Sequence, residues 1–127
     1  MKEPVFITRV WVDALHYRSL KEHGGQDGIR NDHGLESALA QPKNVFFYGE
    51  GDLFDLAAAY AYHIAENQPF IDGNKRTAIT AALTFLEVNG VSTSALDNAE
   101  LYDAMIAIAD KRLDKTGLAD VFRRALR

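Results

Sequence analysis

A polar loop between two helix-like segments carries the residue types best suited to chemistry in this chain. The loop covers residues 67–77 and runs directly into a strongly helical segment. Asp72 and Gly73 supply turn chemistry, and the free backbone N–H groups of the helix's first turn form a partly positive anion site. Lys75 and Arg76 add two full positive charges at the same place. This pattern predicts a phosphate-binding loop.

Two other interpretations of the loop are weaker. An ordinary helix start, with an acidic cap and two solvated cations, would explain residues 72–76 taken alone. A binding site is favoured because the loop lies between two alanine-rich segments that should be buried. A Walker-type phosphate loop does not fit, since its lysine follows glycine and precedes Ser or Thr, whereas Lys75 follows Asn74 and precedes Arg76.

The size and composition of the chain predict a single domain spanning residues 1–127. The sequence has no cysteine, which excludes disulfides and thiolate metal sites. Its start lacks the apolar run and cleavage site of a signal peptide, and its uncharged runs fall short of the roughly 20 residues that cross a bilayer. We therefore expect a cytoplasmic location and no membrane insertion.

The net charge of −4 argues against direct contact with nucleic acid, because binding to the phosphate backbone needs a basic face. One C-terminal stretch is locally basic, but aspartates interrupt it, so we interpret it as a solvated helix surface. The basic residues of that stretch are Lys111, Arg112, Lys115, Arg123, Arg124 and Arg127. No nucleic-acid partner is expected.

The apolar pattern is helical along the whole chain, apart from a short β-branched stretch at residues 91–93. It predicts an all-α bundle of about six helices around a central buried helix. The first predicted helix is capped by Thr8 and ends near residue 23, and a short second helix over 35–41 is ended by Pro42. The central helix covers 53–66 and is capped by Asp52, and the next covers 74–89 and is ended by Gly90. Asp97 begins the fifth helix, and Thr116 caps the last.

Two smaller features also bear on the site. The aromatic run Phe46, Phe47 and Tyr48 is expected in the core, with a target-docking flap as the alternative. His16 and His23 lie on the first predicted helix without a matching carboxylate pair, which argues against a zinc site.

Residues 68–76, QPFIDGNKR, resemble the Fic/Doc signature, in which a histidine, a phenylalanine, an acidic residue, a small residue, Asn, Gly or Lys, and Arg follow one another. Lys75 stands where Fic enzymes carry glycine, so the chain is similar to the death-on-curing branch. Residues 14–16, 23–25 and 34–39 are similar to that branch as well. The resemblance implies a Fic/Doc-like helical fold and a small toxin silenced by a partner antitoxin of the prevent-host-death type.

The resemblance also implies a reaction. In the death-on-curing branch the γ-phosphate of ATP or another nucleoside triphosphate passes, with Mg²⁺, to a Ser/Thr hydroxyl of a translation factor such as elongation factor Tu. AMP transfer, as in Fic relatives, is one alternative, and a non-catalytic helical binding module is the other. Lys75 favours phosphate transfer, and so does Ile79, which replaces a second arginine of the Fic pattern.

Site roles follow from the resemblance position by position. Asp72 would hold Mg²⁺, which prefers carboxylate oxygen. Arg76 would offer a forked donor to phosphate, with Lys75 beside it, and the backbone at Gly73 and Asn74 would form the anion cradle.

The catalytic position departs from the family pattern, because Gln68 stands where the family has its general-base histidine. Glutamine cannot titrate, and losing a general base costs about 10²- to 10⁴-fold in rate. Gln68 is either an introduced substitution, the explanation we favour, or a natural variant with weak activity or a binding role. Phe70 would fix the loop by packing against buried residues. His63 is expected to be a core histidine satisfied by a hydrogen bond, and a substitute base is the alternative.

Overall fold

The computed structural model describes residues 1–49 and 51–127. Within these ranges the chain forms six α-helices and no strand, and the only strand-like pairing is an isolated antiparallel bridge between Ile29 and Phe70. The helices are α1 Arg9–His23, α2 Asp32–Tyr48, α3 Leu53–Asn67, α4 Asn74–Val88, α5 Asn98–Ala109 and α6 Lys115–Leu126. The prediction of an all-α bundle of about six helices is confirmed.

Helix α3 is the centre of the bundle and packs against α2, α4, α5 and α6. It is apolar on most sides, and buried residues occur in every turn from Leu56 to Ile64. Both α3 and its neighbour α4 are rich in alanine, and small side chains allow two helices to pack closely. The fully buried alanines of the two helices are Ala57, Ala58, Ala59, Ala61, Ala78, Ala81 and Ala82. The loop between α3 and α4 therefore joins two helices that are both firmly buried in the bundle.

Helix ends follow local chemistry that the sequence largely reveals. Asp52 caps α3 with Asp55 in a reciprocal capping box, in which the Asp52 Oδ1 accepts from the Asp55 N–H at 3.0 Å and the Asp55 Oδ2 accepts from the Asp52 N–H at 2.9 Å. Asp97 caps α5 by accepting from the N–H of Ala99, and α1 ends at Gly24 with φ of 82°. These predicted boundaries are confirmed.

Two predicted boundaries are wrong. Helix α2 does not stop at Pro42 but continues through it to Tyr48, and it begins earlier, where the Asn31 side chain accepts from the Gly34 N–H. A proline inside a helix removes one hydrogen bond, but Val45 and Phe46 beyond it pack against the core, and that burial outweighs the loss.

The second wrong boundary is the start of α6. Its cap is Asp114, whose Oδ1 accepts from the N–H of Gly117 at 2.7 Å, and not Thr116. A carboxylate at the cap position satisfies a first-turn N–H directly, so the helix begins ahead of the threonine.

The aromatic run at the end of α2 is only partly in the core. Phe46 packs against it, whereas Phe47 is 55% exposed and Tyr48 is 88% exposed. The expectation that all three side chains are buried is therefore wrong for two of them. Among the described residues, no helix is both long and apolar enough to cross a membrane.

Candidate phosphate-binding site

The loop joining α3 to α4 is bounded by two residues with left-handed backbones. Gln68 ends α3 with φ of 44°, and Gly73 precedes α4 with φ of 83°. A glutamine in this conformation is uncommon and is held there by the surrounding structure. Gly73 provides no side chain to cap α4, so the N–H groups of the first turn are free of a side-chain cap. A helix N-terminus in this state suits an anion.

The loop borders a cavity of about 550 Å³. Six of the predicted site residues line it, and they come from the end of α3, the loop and the start of α4: Gln68, Asp72, Gly73, Asn74, Lys75 and Arg76. Phe70 is the one predicted residue outside the cavity lining, and it is buried beneath the loop with 1% exposure. The side chains of Gln68, Asp72, Lys75 and Arg76 are exposed.

Charge in this cavity is mixed but mainly positive. Arg30 and Lys111 join the two loop cations in its wall, while Glu66 and Asp72 are its carboxylates. Four cations against two anions, beside a helix N-terminus, favour an anionic ligand.

Asn74 holds the loop closed with its side chain. Its Oδ1 accepts from the N–H of Phe70 at 3.0 Å, and its Nδ2 donates to the carbonyl oxygen of Phe70 at 2.9 Å. Both hydrogen-bonding ends of the amide are therefore engaged within the protein. The contribution of Asn74 to a phosphate would come from its backbone N–H, as the sequence predicts.

A second segment braces the loop from the outside. The N–H groups of Arg30 and Asn31 both donate to the carbonyl oxygen of Pro69, at 2.7 and 3.0 Å, and the N–H of Ile71 donates to the carbonyl oxygen of Gly28 at 3.0 Å. Gly28 has a φ of 134°, a backbone conformation that residues with a side chain rarely adopt, and a Cβ there would also lie 2.7 Å from the Cδ1 of Ile71. The glycine-rich stretch after α1 thus serves as a support for the loop.

His16 is a residue that sequence reasoning missed. It is buried on α1, and its ring stacks on Phe70 with centroids 3.8 Å apart and 11° between planes. Its Nε2–H donates to the carbonyl oxygen of Asp72 at 2.7 Å. The contact joins residues 56 positions apart, and neither spacing nor periodicity signals it.

Asp72 presents an exposed carboxylate whose Oδ2 accepts from the N–H of Gln26 at 2.8 Å. The described ranges contain no group of three or more His, Asp or Glu that could hold a metal ion unaided. Mg²⁺ is commonly held by one or two carboxylates together with the phosphates of a nucleotide. One carboxylate beside a cationic cavity fits that mode of binding.

His63 lies away from this cavity. Its Nε2 is 3.1 Å from the Nζ of Lys115, on the side of α3 that faces α6. Burial, with the nearby Lys115 charge, lowers the pKa of His63 from its ordinary 6.5 to about 4. The preferred prediction of a core histidine satisfied by a hydrogen bond is met for the hydrogen bond only, because the His63 side chain is partly buried and lies outside the core.

An ion pair lies in the wall of the cavity. The Lys111 Nζ lies 2.8 Å from the Oε1 and 2.9 Å from the Oε2 of Glu66. Glu66 belongs to the last turn of α3, and Lys111 follows α5 in a left-handed conformation with φ of 62°. Sequence reasoning assigned neither residue to the site.

Comparisons with known proteins show the family to which the chain belongs. The Fic/DOC family profile matches residues 6–86, which include α1, the bracing segment, the loop and most of α4. The chain is 34% identical over 112 residues to the protein kinase Doc of Escherichia phage P1, covering 87% of each chain. It is 38% identical over 101 residues to the toxin Doc of Mycolicibacterium smegmatis, covering 76% of each chain. The chain belongs to the Fic/DOC family.

Proposed function

We propose that the protein is a Doc-type toxin that transfers the γ-phosphate of ATP, bound with Mg²⁺, to a Ser/Thr hydroxyl of a translation factor such as elongation factor Tu. The observation that carries the proposal is the grouping of Lys75, Arg76 and the uncapped start of α4 around one cavity. The name of the phage P1 relative, a protein kinase, supports phosphate transfer over AMP transfer.

Different residues of the loop would bind different parts of the Mg²⁺–ATP ligand. Arg76 offers a planar fork of donors to phosphate oxygens, and Lys75 adds a point charge beside it. The backbone N–H groups at Gly73 and Asn74 would donate to the phosphates at the start of α4, where no side chain caps the helix. Asp72 would hold Mg²⁺, which supplies neutralisation of the phosphate charge when bound.

Gln68 weakens the reaction in this form of the protein. Its amide can orient a hydroxyl or a phosphate oxygen but cannot take a proton. We expect turnover about 10²- to 10⁴-fold below that of a form with histidine at this position.

An antitoxin of the prevent-host-death type is the proposed partner, in a cytoplasmic setting. A groove of about 310 Å³ between α1, α4 and α5 supports this assignment. It is lined in part by Leu15, Ile79 and Leu101, and it shares Arg76 and Tyr102 with the phosphate cavity. An amphipathic helix laid into this groove would reach the nucleotide site.

The test is expression of Gln68→His in bacteria, with and without the neighbouring gene that would encode the antitoxin. We expect growth arrest that co-expression relieves. A parallel reaction with labelled ATP and purified elongation factor Tu should give a mass increase of one phosphate. Harmless expression with no transfer would refute the proposal, and addition of AMP would refute its choice of reaction.

A further inference from the structure

The proposed phosphate transfer needs an acceptor for the proton of the target hydroxyl, and Gln68 cannot serve. Among the residues that line the cavity, only Glu66 and Asp72 carry a carboxylate, a group whose oxygens can accept a proton. The Asp72 carboxylate accepts a hydrogen bond from the N–H of Gln26, and Asp72 is the proposed metal ligand. Glu66 is left without a role in binding.

The position of Glu66 suits contact with a target residue. It lies two positions before Gln68, in the last turn of α3, and its side chain is 23% exposed. Both residues line the cavity that Lys75 and Arg76 also line. A hydroxyl that enters this cavity beside Gln68 to meet a phosphate at the start of α4 would therefore share the cavity with the Glu66 carboxylate.

Lys111 pairs with the Glu66 carboxylate and still leaves its oxygens able to accept a hydrogen bond from a hydroxyl. Its Nζ contacts both oxygens of Glu66. A carboxylate has about four lone-pair sites, so each oxygen keeps a site for a hydroxyl proton. The Lys111 side chain is 72% exposed, which leaves it room to adjust when a target docks.

We propose that Glu66 is a catalytic residue that accepts the hydroxyl proton in place of the histidine that is absent at position 68. The inference rests on the proposed function and deepens it. The target oxygen bonds to the γ-phosphorus while the bond from that phosphorus to the β,γ-bridging oxygen breaks. The electron pair leaves with ADP, and the hydroxyl proton passes to an Oε of Glu66.

A carboxylate is chemically adequate for this step. Protein kinases place an aspartate at the substrate hydroxyl, because phosphoryl transfer passes through a loose transition state that depends on positioning and charge more than on strong basicity. His63, the substitute base considered from the sequence, does not line the cavity, and its ring is engaged with Lys115.

The test measures label transfer from γ-labelled ATP and Mg²⁺ to proteins of a bacterial lysate by four forms: the chain with Gln68 unchanged, used as the reference and called wild type below, Glu66→Gln, Gln68→His and the double variant. We expect slow transfer by the wild type, transfer lower by about 10²-fold in Glu66→Gln, and recovery in the double variant to the level of Gln68→His. Nucleotide affinity should be equal in wild type and Glu66→Gln. Recovery in the double variant also shows that loss of Glu66 leaves the fold intact.

Two control variants separate proton transfer from loss of an ion pair. Lys111→Ala removes the pair but keeps the carboxylate. Because Lys111 also lines the cavity, the comparison is made at saturating ATP, where transfer by Lys111→Ala should stay well above that of Glu66→Gln. Glu36→Gln removes a carboxylate that pairs with Arg9 on α1, outside the cavity, and should behave as the wild type.

The outcomes distinguish the two proposals. If neither the wild type nor Gln68→His transfers label, the proposed function fails, and this inference fails with it. If Gln68→His transfers label but the wild type does not, or if Glu66→Gln matches the wild type, the role of Glu66 alone is overturned. An equal loss in Lys111→Ala and Glu66→Gln would assign the effect to the ion pair and overturn it as well.

Discussion

His16 and Phe70 stack face to face with ring centroids 3.8 Å apart, and the same histidine donates to the carbonyl oxygen of Asp72 at 2.7 Å. One side chain of α1 therefore fixes both the apolar anchor of the loop and the backbone of its acidic residue. The position of the proposed metal ligand depends on a helix that is remote in sequence.

Replacement of His16 by alanine should loosen the loop. A buried hydrogen bond and an aromatic pair contribute about 1 kcal/mol each, so we expect a loss of about 2 kcal/mol in the free energy of unfolding. Binding of Mg²⁺–ATP should weaken too. Urea unfolding and calorimetric titration measure the two effects. His23→Ala, an exposed change on the same helix, is the control, and equal behaviour of the two variants would contradict the role given to His16.

Asn74 offers a sharper test, because Asn74→Asp keeps the acceptor to the Phe70 N–H and removes the donor to the Phe70 carbonyl oxygen. The carboxylate also places a negative charge at the proposed anion site. We expect a loss of about 1–3 kcal/mol in stability from the unpaired carbonyl and a clear loss of nucleotide affinity. Asn74→Ala should show the stability loss without the added repulsion. Tighter nucleotide binding by the aspartate variant would contradict an anion site here.

Arg76→Ala should weaken binding of ATP by about tenfold or more, since charge-assisted hydrogen bonds are roughly twice as strong as neutral ones. The fold should be unaffected because the Arg76 side chain is exposed at the start of α4. Calorimetric titration at two salt concentrations gives the affinity and its electrostatic part. Arg124→Ala removes an exposed arginine from α6 and should leave the affinity unchanged. Undiminished binding by Arg76→Ala would exclude it from the phosphate site.

The pH dependence of stability should carry a contribution from His63. Its pKa in the folded protein lies near 4, below the ordinary 6.5 that applies when the chain is unfolded. The unfolded state therefore binds the extra proton first, so this contribution is complete above about pH 6.5 and is lost as the pH falls toward 4. His63→Gln should flatten the decline of the urea midpoint in that window. Parallel declines for the two proteins would show that His63 does not carry it.

Sequence reasoning could predict the features that local chemistry decides. The cap at Asp52, the stop at Gly24 and the grouping of loop residues around one cavity were all accessible in this way. The helix end predicted at Pro42 was wrong because Val45 and Phe46, beyond the proline, pack against the core and keep the helix going. The roles of His16 and of the Glu66–Lys111 pair could not be predicted from the sequence. Each depends on a contact between distant segments, which leaves no pattern in a single sequence.

The left-handed backbone at Gln68 has a consequence for how activity could change over time. The conformation is set where α3 ends and the braced loop begins, and it is not set by a side-chain cap. Histidine is among the residue types that adopt this region more readily than most. An exchange between glutamine and histidine at this position can thus alter the rate of chemistry while preserving the surfaces that partners recognise. Active and weakened versions of the protein would then both remain open to the proposed antitoxin helix.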